Sequence, residues 1–199
     1  MNSVRKLIVI ATAVLAISAA GAGAAQACSY TGAEQVFKPW GDQHSYVLAP
    51  DGGFEAGGQG WYLGGGGKTV AENEPFHLND AGDDRSLALP AGSTAVSPPI
   101  CMSLDTPGFR LVARNSGDPS SGLRVEATYA LLGLVRTKTV STVYGSSAWA
   151  PSQQMSTVLS LSTIVGTLIP SAIQIRITPL GSGGQWQVDD LYIDPFARH

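Results

Sequence analysis

From Leu123 to Leu131 the chain alternates: Leu123, Val125, Ala127, Tyr129 and Leu131 fall on one face, Arg124, Glu126, Thr128 and Ala130 on the other. A period of two is that of a half-buried β-strand, and a 3.6-residue helix would scatter both sets. The pattern recurs in Phe109, Leu111 and Ala113 against Arg110, Val112 and Arg114, and in Ile173, Ile175 and Ile177 against Gln174, Arg176 and Thr178. Turn formers separate these runs, as NSGDPSSG at 115–122 and PLGSGG at 179–184. The first cluster predicts a hairpin that makes strands 109–114 and 123–131 neighbours. No charge occurs between Lys138 and Arg176, and 156–169 is fairly apolar. Interleaved Ser and Thr, with Gly166 and Pro170, break it into strands rather than the run of about 20 apolar residues that a spanning helix needs. With 24 Gly and 12 Pro and no long helical period, the chain reads as an all-β, antiparallel β-sandwich.

The N-terminus follows another logic. Arg5 and Lys6 precede an apolar core from Leu7 to Ile17, and small residues lead to Ala25-Gln26-Ala27. This is the layout of a cleaved signal peptide, 1–27, and the core of about 11 residues is short for a permanent anchor. The expected product is secreted or extracytoplasmic and starts at Cys28, with an N-terminal segment 28–48 and a sandwich domain 49–199. Lipidation of Cys28 is the competing reading, although Ala25 stands where lipoprotein signals normally carry Leu. Cleavage removes two of the 12 basic residues and none of the 15 acidic ones, leaving a net charge of about −5. That balance, with no basic stripe, excludes nucleic acid and anionic lipid as partners. The two cysteines, Cys28 and Cys101, are expected to be joined in an exported chain. A closed loop of about 70 residues is worth roughly 4 kcal/mol on the chain-entropy account.

Few residues carry chemistry. Gly64–Thr69 reads GGGGKT, but the first glycine of a phosphate loop would fall on Tyr62, so the run is a flexible loop. There is no G-x-S-x-G or H-E-x-x-H, and His44, His77 and His199 lie far apart. Carboxylates are more suggestive. Asp80, Asp83 and Asp84 share a loop, Glu55 follows a Gly-Gly-Phe turn, and Asp189-Asp190 interrupts an apolar strand. In a regular strand two adjacent acids point to opposite faces, so one must be satisfied inside by hydrogen bonds, a cation or a metal. Ca²⁺ accepts such hard oxygens, and backbone N–H groups serve equally well without metal. Of Trp40, Trp61, Trp149 and Trp186, Trp149 in the loop-like YGSSAWAPS is least plainly a core residue and is the candidate ligand platform.

APDGGFEAGGQGW (49–61) and GGQWQVDDLYIDPF (183–196) resemble the two ends of galactose-binding-like jelly rolls, a class that includes carbohydrate-binding modules. The chain is also similar to small secreted proteins of high-GC Gram-positive bacteria, through its Cys-Ser-Tyr start, FKPWGDQHSY and SPPIC. The resemblance implies a jelly-roll sandwich and a structural calcium ion held by Glu55 and Asp189 or Asp190, with Asp51 replacing the Asn usual there. It places no ligand-binding aromatic. The expected function is a secreted, non-catalytic binding module for carbohydrate or a cell-envelope glycan. The alternatives are a cell-surface structural or protein-interaction domain with no small ligand, and a hydrolase working through paired carboxylates.

Overall fold

A computed structural model describes residues 30–101, 108–131, 134–156 and 172–195. Among the described residues thirteen strands form two antiparallel sheets. Sheet 1 runs β10 (Ala150–Pro151), β7 (Gly108–Asn115), β13 (Gln185–Asp194), β4 (Ser86–Pro90) and β3 (Lys68–Val70). In the same sheet β1 (Val47–Leu48) pairs with β13 and β11 (Met155–Ser156) with β7. Sheet 2 runs β2 (Tyr62–Gly64), β5 (Thr94–Val96), β12 (Ala172–Pro179), β8 (Leu123–Leu131) and β9 (Leu134–Val143), and β6 (Ile100–Cys101) pairs with β12. The helical element among the described residues is a 3₁₀ turn, Lys38–Trp40.

The alternating residues do what their period requires. Leu87, Leu89, Phe109, Leu111, Trp186 and Val188 of sheet 1 meet Ala95, Leu123, Val125, Ile173, Ile175 and Ile177 of sheet 2 in one core. Each fully buried large side chain is worth roughly 1.5–3 kcal/mol of transfer free energy. The expected hairpin between strands 109–114 and 123–131 does not form, because β7 lies in sheet 1 and β8 in sheet 2. Alternation states that one face is buried but not which sheet supplies the partner. The 115–122 turn is instead a crossover laced to the 179–184 turn: Ser116 N–H donates to the Gln185 carbonyl (3.0 Å), Asp118 N–H to Gly183 (2.8 Å) and Leu180 N–H to Gly122 (2.7 Å).

β7 is buried on both faces. Outside sheet 1, Phe37 and Tyr46 of the N-terminal segment pack on Val112 and Tyr192 as a second apolar cluster. Arg110 anchors that segment. Its Nη1 lies 2.7 Å from Asp42 Oδ2, its Nε donates to the Ser152 carbonyl (2.8 Å), and its guanidinium sits 4.4 Å from the Phe37 ring centroid. Cys28 lies outside the described residues. Among the described residues no cysteine is free, and the Tyr30 hydroxyl donates to the Cys101 carbonyl. The 156–169 run lies mostly outside them too. No described helix is long and apolar enough to cross a membrane.

Candidate functional site

The outer face of sheet 2 can be built from register alone. Tyr62 pairs with Val96, Val96 with Arg176, Arg176 with Glu126, and Glu126 with Thr139, giving one row across five strands. A second row runs Gly64, Thr94, Thr178, Arg124 and Thr142. All face away from the core, since their strand neighbours Ala95, Ile177 and Val125 point into it. These two rows are therefore hydroxyls and charges with Val96, Gly64 and one aromatic ring.

That ring is unusually placed. Tyr62 is 65% exposed, and a Cβ at Gly64 would stand 3.0 Å from its hydroxyl oxygen and 3.1 Å from its Cε1. The ring thus lies along the strand where Gly64 has no side chain, and most of it is open to solvent. Gly65, at φ +61°, carries the chain around so closely that a Cβ there would meet the Gly92 carbonyl oxygen at 2.3 Å. The GGGG run is a fitted turn rather than a flexible loop. Beside the ring's row, Arg124 Nε is buried without a hydrogen-bond partner and lies 3.5 Å from Glu126 Oε2.

The carboxylates gather elsewhere, where β13 meets the 51–55 turn. β13 bulges: Asp189 opposes Val112 and Tyr192 opposes Arg110, so Asp190 and Leu191 share one partner residue. The extra residue breaks the expected one-in, one-out placement. Asp189 and Asp190 are both buried, at 0% and 2%, and Asp190 adopts φ +48°. Asp51 and Phe54 across from it also have positive φ, and three such non-glycine residues in one place mark stored backbone strain.

Each acid's partners are specific. Asp189 accepts from the Glu74 N–H (3.2 Å) and the Asp190 N–H (2.9 Å). Glu74 is fully buried and caps the Phe76 and Leu78 N–H groups. Glu55 Oε1 accepts from the Asp84 and Arg85 N–H groups at 3.1 and 2.9 Å. Asp190 Oδ1 is buried and unpaired. A Cβ at Gly53 would reach it at 3.2 Å and Asp83 Oδ2 at 3.7 Å, so glycine opens the space in front of these oxygens. Burial first, then the Asp189 and Glu74 charges, push Asp190 well above the carboxylate range, and burial likewise raises Asp189. Among the described residues no group of three or more acidic, histidine or cysteine side chains is arranged to hold a metal ion. The hard-oxygen donors and the orphaned Asp190 Oδ1 nonetheless suit a cation in chemistry.

This sandwich has counterparts among solved structures. The CBM22-1 xylan-binding domain of Paenibacillus barcinonensis Xyn10C matches with a TM-score of 0.51 at 13% identity, over 77% of this chain and 99% of that domain. The CBM22-1 and GH10 modules of Clostridium thermocellum xylanase Xyn10B, solved with xylohexaose, match at 0.53 and 13% over 75% of this chain and 28% of that one. The fold is the jelly-roll sandwich of carbohydrate-binding modules. A family 16 carbohydrate-binding module matches at 0.50 and 13% over 74% of this chain and 99% of its own. No protein-family model matches the chain, and no curated protein does.

In this jelly roll the residues marked by sequence separate. Glu55, Asp189 and Asp190 come to one end of sheet 1, joined by Glu74, which pattern reading passes over because it sits in an irregular polar stretch. Asp83 joins them through Asn79, whose Nδ2 donates to it at 2.7 Å. Trp61 and Trp186 are core residues. Trp149 is half-buried beside Arg114, whose guanidinium lies 5.0 Å from its ring centroid. His44 pairs with Asp42 at 2.7 Å and His77 with Asn73 at 3.3 Å. Tyr62 carried no signal beyond its alternation, since exposure of an aromatic ring is a property of the fold.

Proposed function

We propose that this protein is a secreted, non-catalytic glycan-binding module that lays a sugar chain across the outer face of sheet 2. The observation that carries the reading is the exposed Tyr62 ring, seated against Gly64 at the end of a row that continues through Val96 into charges and a hydroxyl. A pyranose offers an apolar C–H face to such a ring, while its hydroxyls require donors and acceptors such as Arg176, Glu126 and Thr139. The solved neighbours named for xylan and xylohexaose make xylohexaose the first probe.

Structural calcium belongs to the same reading, with Asp190 supplying the open oxygen and Glu55 and Asp189 close by. Bound there, the ion would offset the crowded negative charge and hold the 51–55 turn against the β13 bulge. Burial of Asp189, Asp190 and Glu74 supports a structural role for them over the paired-acid hydrolase.

Calorimetric titration with xylohexaose, followed by a glycan array, tests the proposal. Tyr62→Ala is expected to weaken binding at least tenfold, in keeping with about 1.5 kcal/mol for a stacked ring, with an unchanged unfolding midpoint. Absence of any glycan binder sinks the reading and turns attention to a protein-interaction domain. Edge strand β9, with Leu134 and Val135 in solvent, favours that second reading.

A further inference from the structure

The opposite face of the sandwich carries a groove that the Tyr62 site does not use. Its floor is again one row of partners: Lys68 pairs with Ala88, Ala88 with Gln187, and Gln187 with Arg114. These residues alternate with Leu87, Leu89, Trp186 and Val188, which enter the core, so they face outward from sheet 1. Small Ala88 between long polar neighbours leaves a trough of about 480 Å³. With strands spaced about 4.8 Å, the row from Lys68 to Arg114 spans roughly 14 Å, the length of two to three sugar units.

The side chains at one end are fixed before any ligand arrives. Arg114 Nε donates to Gln187 Oε1 at 2.5 Å, and its Nη2 pairs with Glu72 Oε1. Gln187 Nε2 closes the triangle on Glu72 Oε2 at 3.0 Å. The free side of the guanidinium stacks on Trp149. A planar, mutually hydrogen-bonded constellation of this kind loses little rotamer freedom when it binds. Glu72 cancels Arg114, whereas Lys68 at the other end is exposed and pairs with no acid among the described residues. The groove therefore carries one uncompensated positive charge on a chain that is acidic overall.

We propose that this groove is a second binding site, selective for a polyhydroxylated chain that bears isolated negative charges, with Lys68 reading the charge. Gln187 and the Arg114–Glu72 pair take the hydroxyls. Lys68 then separates acidic from neutral glycans in this groove. The charge can be a uronate carboxylate or a phosphodiester, and the two are distinguished by probe.

The test uses the purified protein with oligogalacturonate, poly(glycerol phosphate) and xylohexaose, followed by amide chemical shifts and calorimetry. Acidic probes are expected to shift the amides of β3, β4 and β13 around Lys68 and Gln187, and to bind more weakly as salt rises. Lys68→Ala, a surface change that leaves the core untouched, should weaken acidic-probe binding at least about fivefold and leave xylohexaose unaffected. Tyr62→Ala should do the reverse, so failure of one site is told apart from failure of the other. A response to the carboxylate probe alone or to the phosphate probe alone identifies the anion. If neither acidic probe perturbs these amides at millimolar concentration, or if Lys68→Ala binds them as well as the parent, the groove is a brace for the 71–79 loop and the proposal fails.

Discussion

Asp42 shows how much one side chain can organise. Burial alone would raise its carboxyl, yet the His44 backbone N–H, the Tyr46 hydroxyl, the His44 ring and the Arg110 guanidinium together hold it well below the usual carboxylate range. A depressed folded-state pKa contributes stability that is complete above the unfolded value of about 3.9 and is lost as pH falls through the folded one. Asp42→Asn should therefore flatten the acid limb of the stability curve below about pH 4, read by thermal unfolding across pH. At neutral pH it should cost about 3 kcal/mol, because Arg110 is left buried without its counter-charge. Asp190 poses the opposite case, a buried carboxylate with an unpaired oxygen in a left-handed conformation that Asn tolerates well. With chelator present, Asp190→Asn should raise stability by about 1 kcal/mol at neutral pH, because the buried carboxyl must take up a proton on folding and the amide need not. The parent midpoint should rise with millimolar Ca²⁺ and that of the variant should not. A parent that ignores Ca²⁺ removes the metal from the account.

Among the elements, the β2–β3 turn and the β13 bulge matter most. Gly65→Ala would drive a Cβ into the Gly92 carbonyl at a positive φ, and a loss of about 2–3 kcal/mol is expected from chemical unfolding. Gly64→Val is subtler. It should leave the fold in place but lift the Tyr62 ring off the strand, so glycan affinity drops while the unfolding midpoint moves little. The bulge explains why Asp189-Asp190 misled a strict period-two reading. One inserted residue restores Leu191 and Ile193 to the core and Tyr192 to the outer cluster, whereas an unbroken strand would have put Asp190 in their place. That irregularity depends on a partner strand about 80 residues away.

For the whole molecule, the N-terminal segment works as a cover as well as a tether. Deleting residues 30–46 would strip Phe37 and Tyr46 from Val112 and Tyr192 and leave Arg110 unpaired. A large fall in midpoint and new dye-binding apolar surface are expected, even with the two sheets otherwise intact. The sequence by itself determined the strand content and the inward residues, because a period of two is a local consequence of backbone geometry, and the jelly-roll class followed from the resemblance of its two end motifs, 49–61 and 183–196. It also marked Asp189 and Asp190, since acids inside an apolar strand conflict with burial wherever they occur, and Glu55 through the resemblance carried by the turn it follows. Only the tertiary structure decided which strands share a sheet, that Tyr62 lies bare over Gly64, and that Glu74 joins the acids. It alone set Lys68, Gln187 and Arg114 in one groove. Those facts rest on pairings between residues far apart in the chain, where register and crossing are chosen by the packing of the entire sandwich.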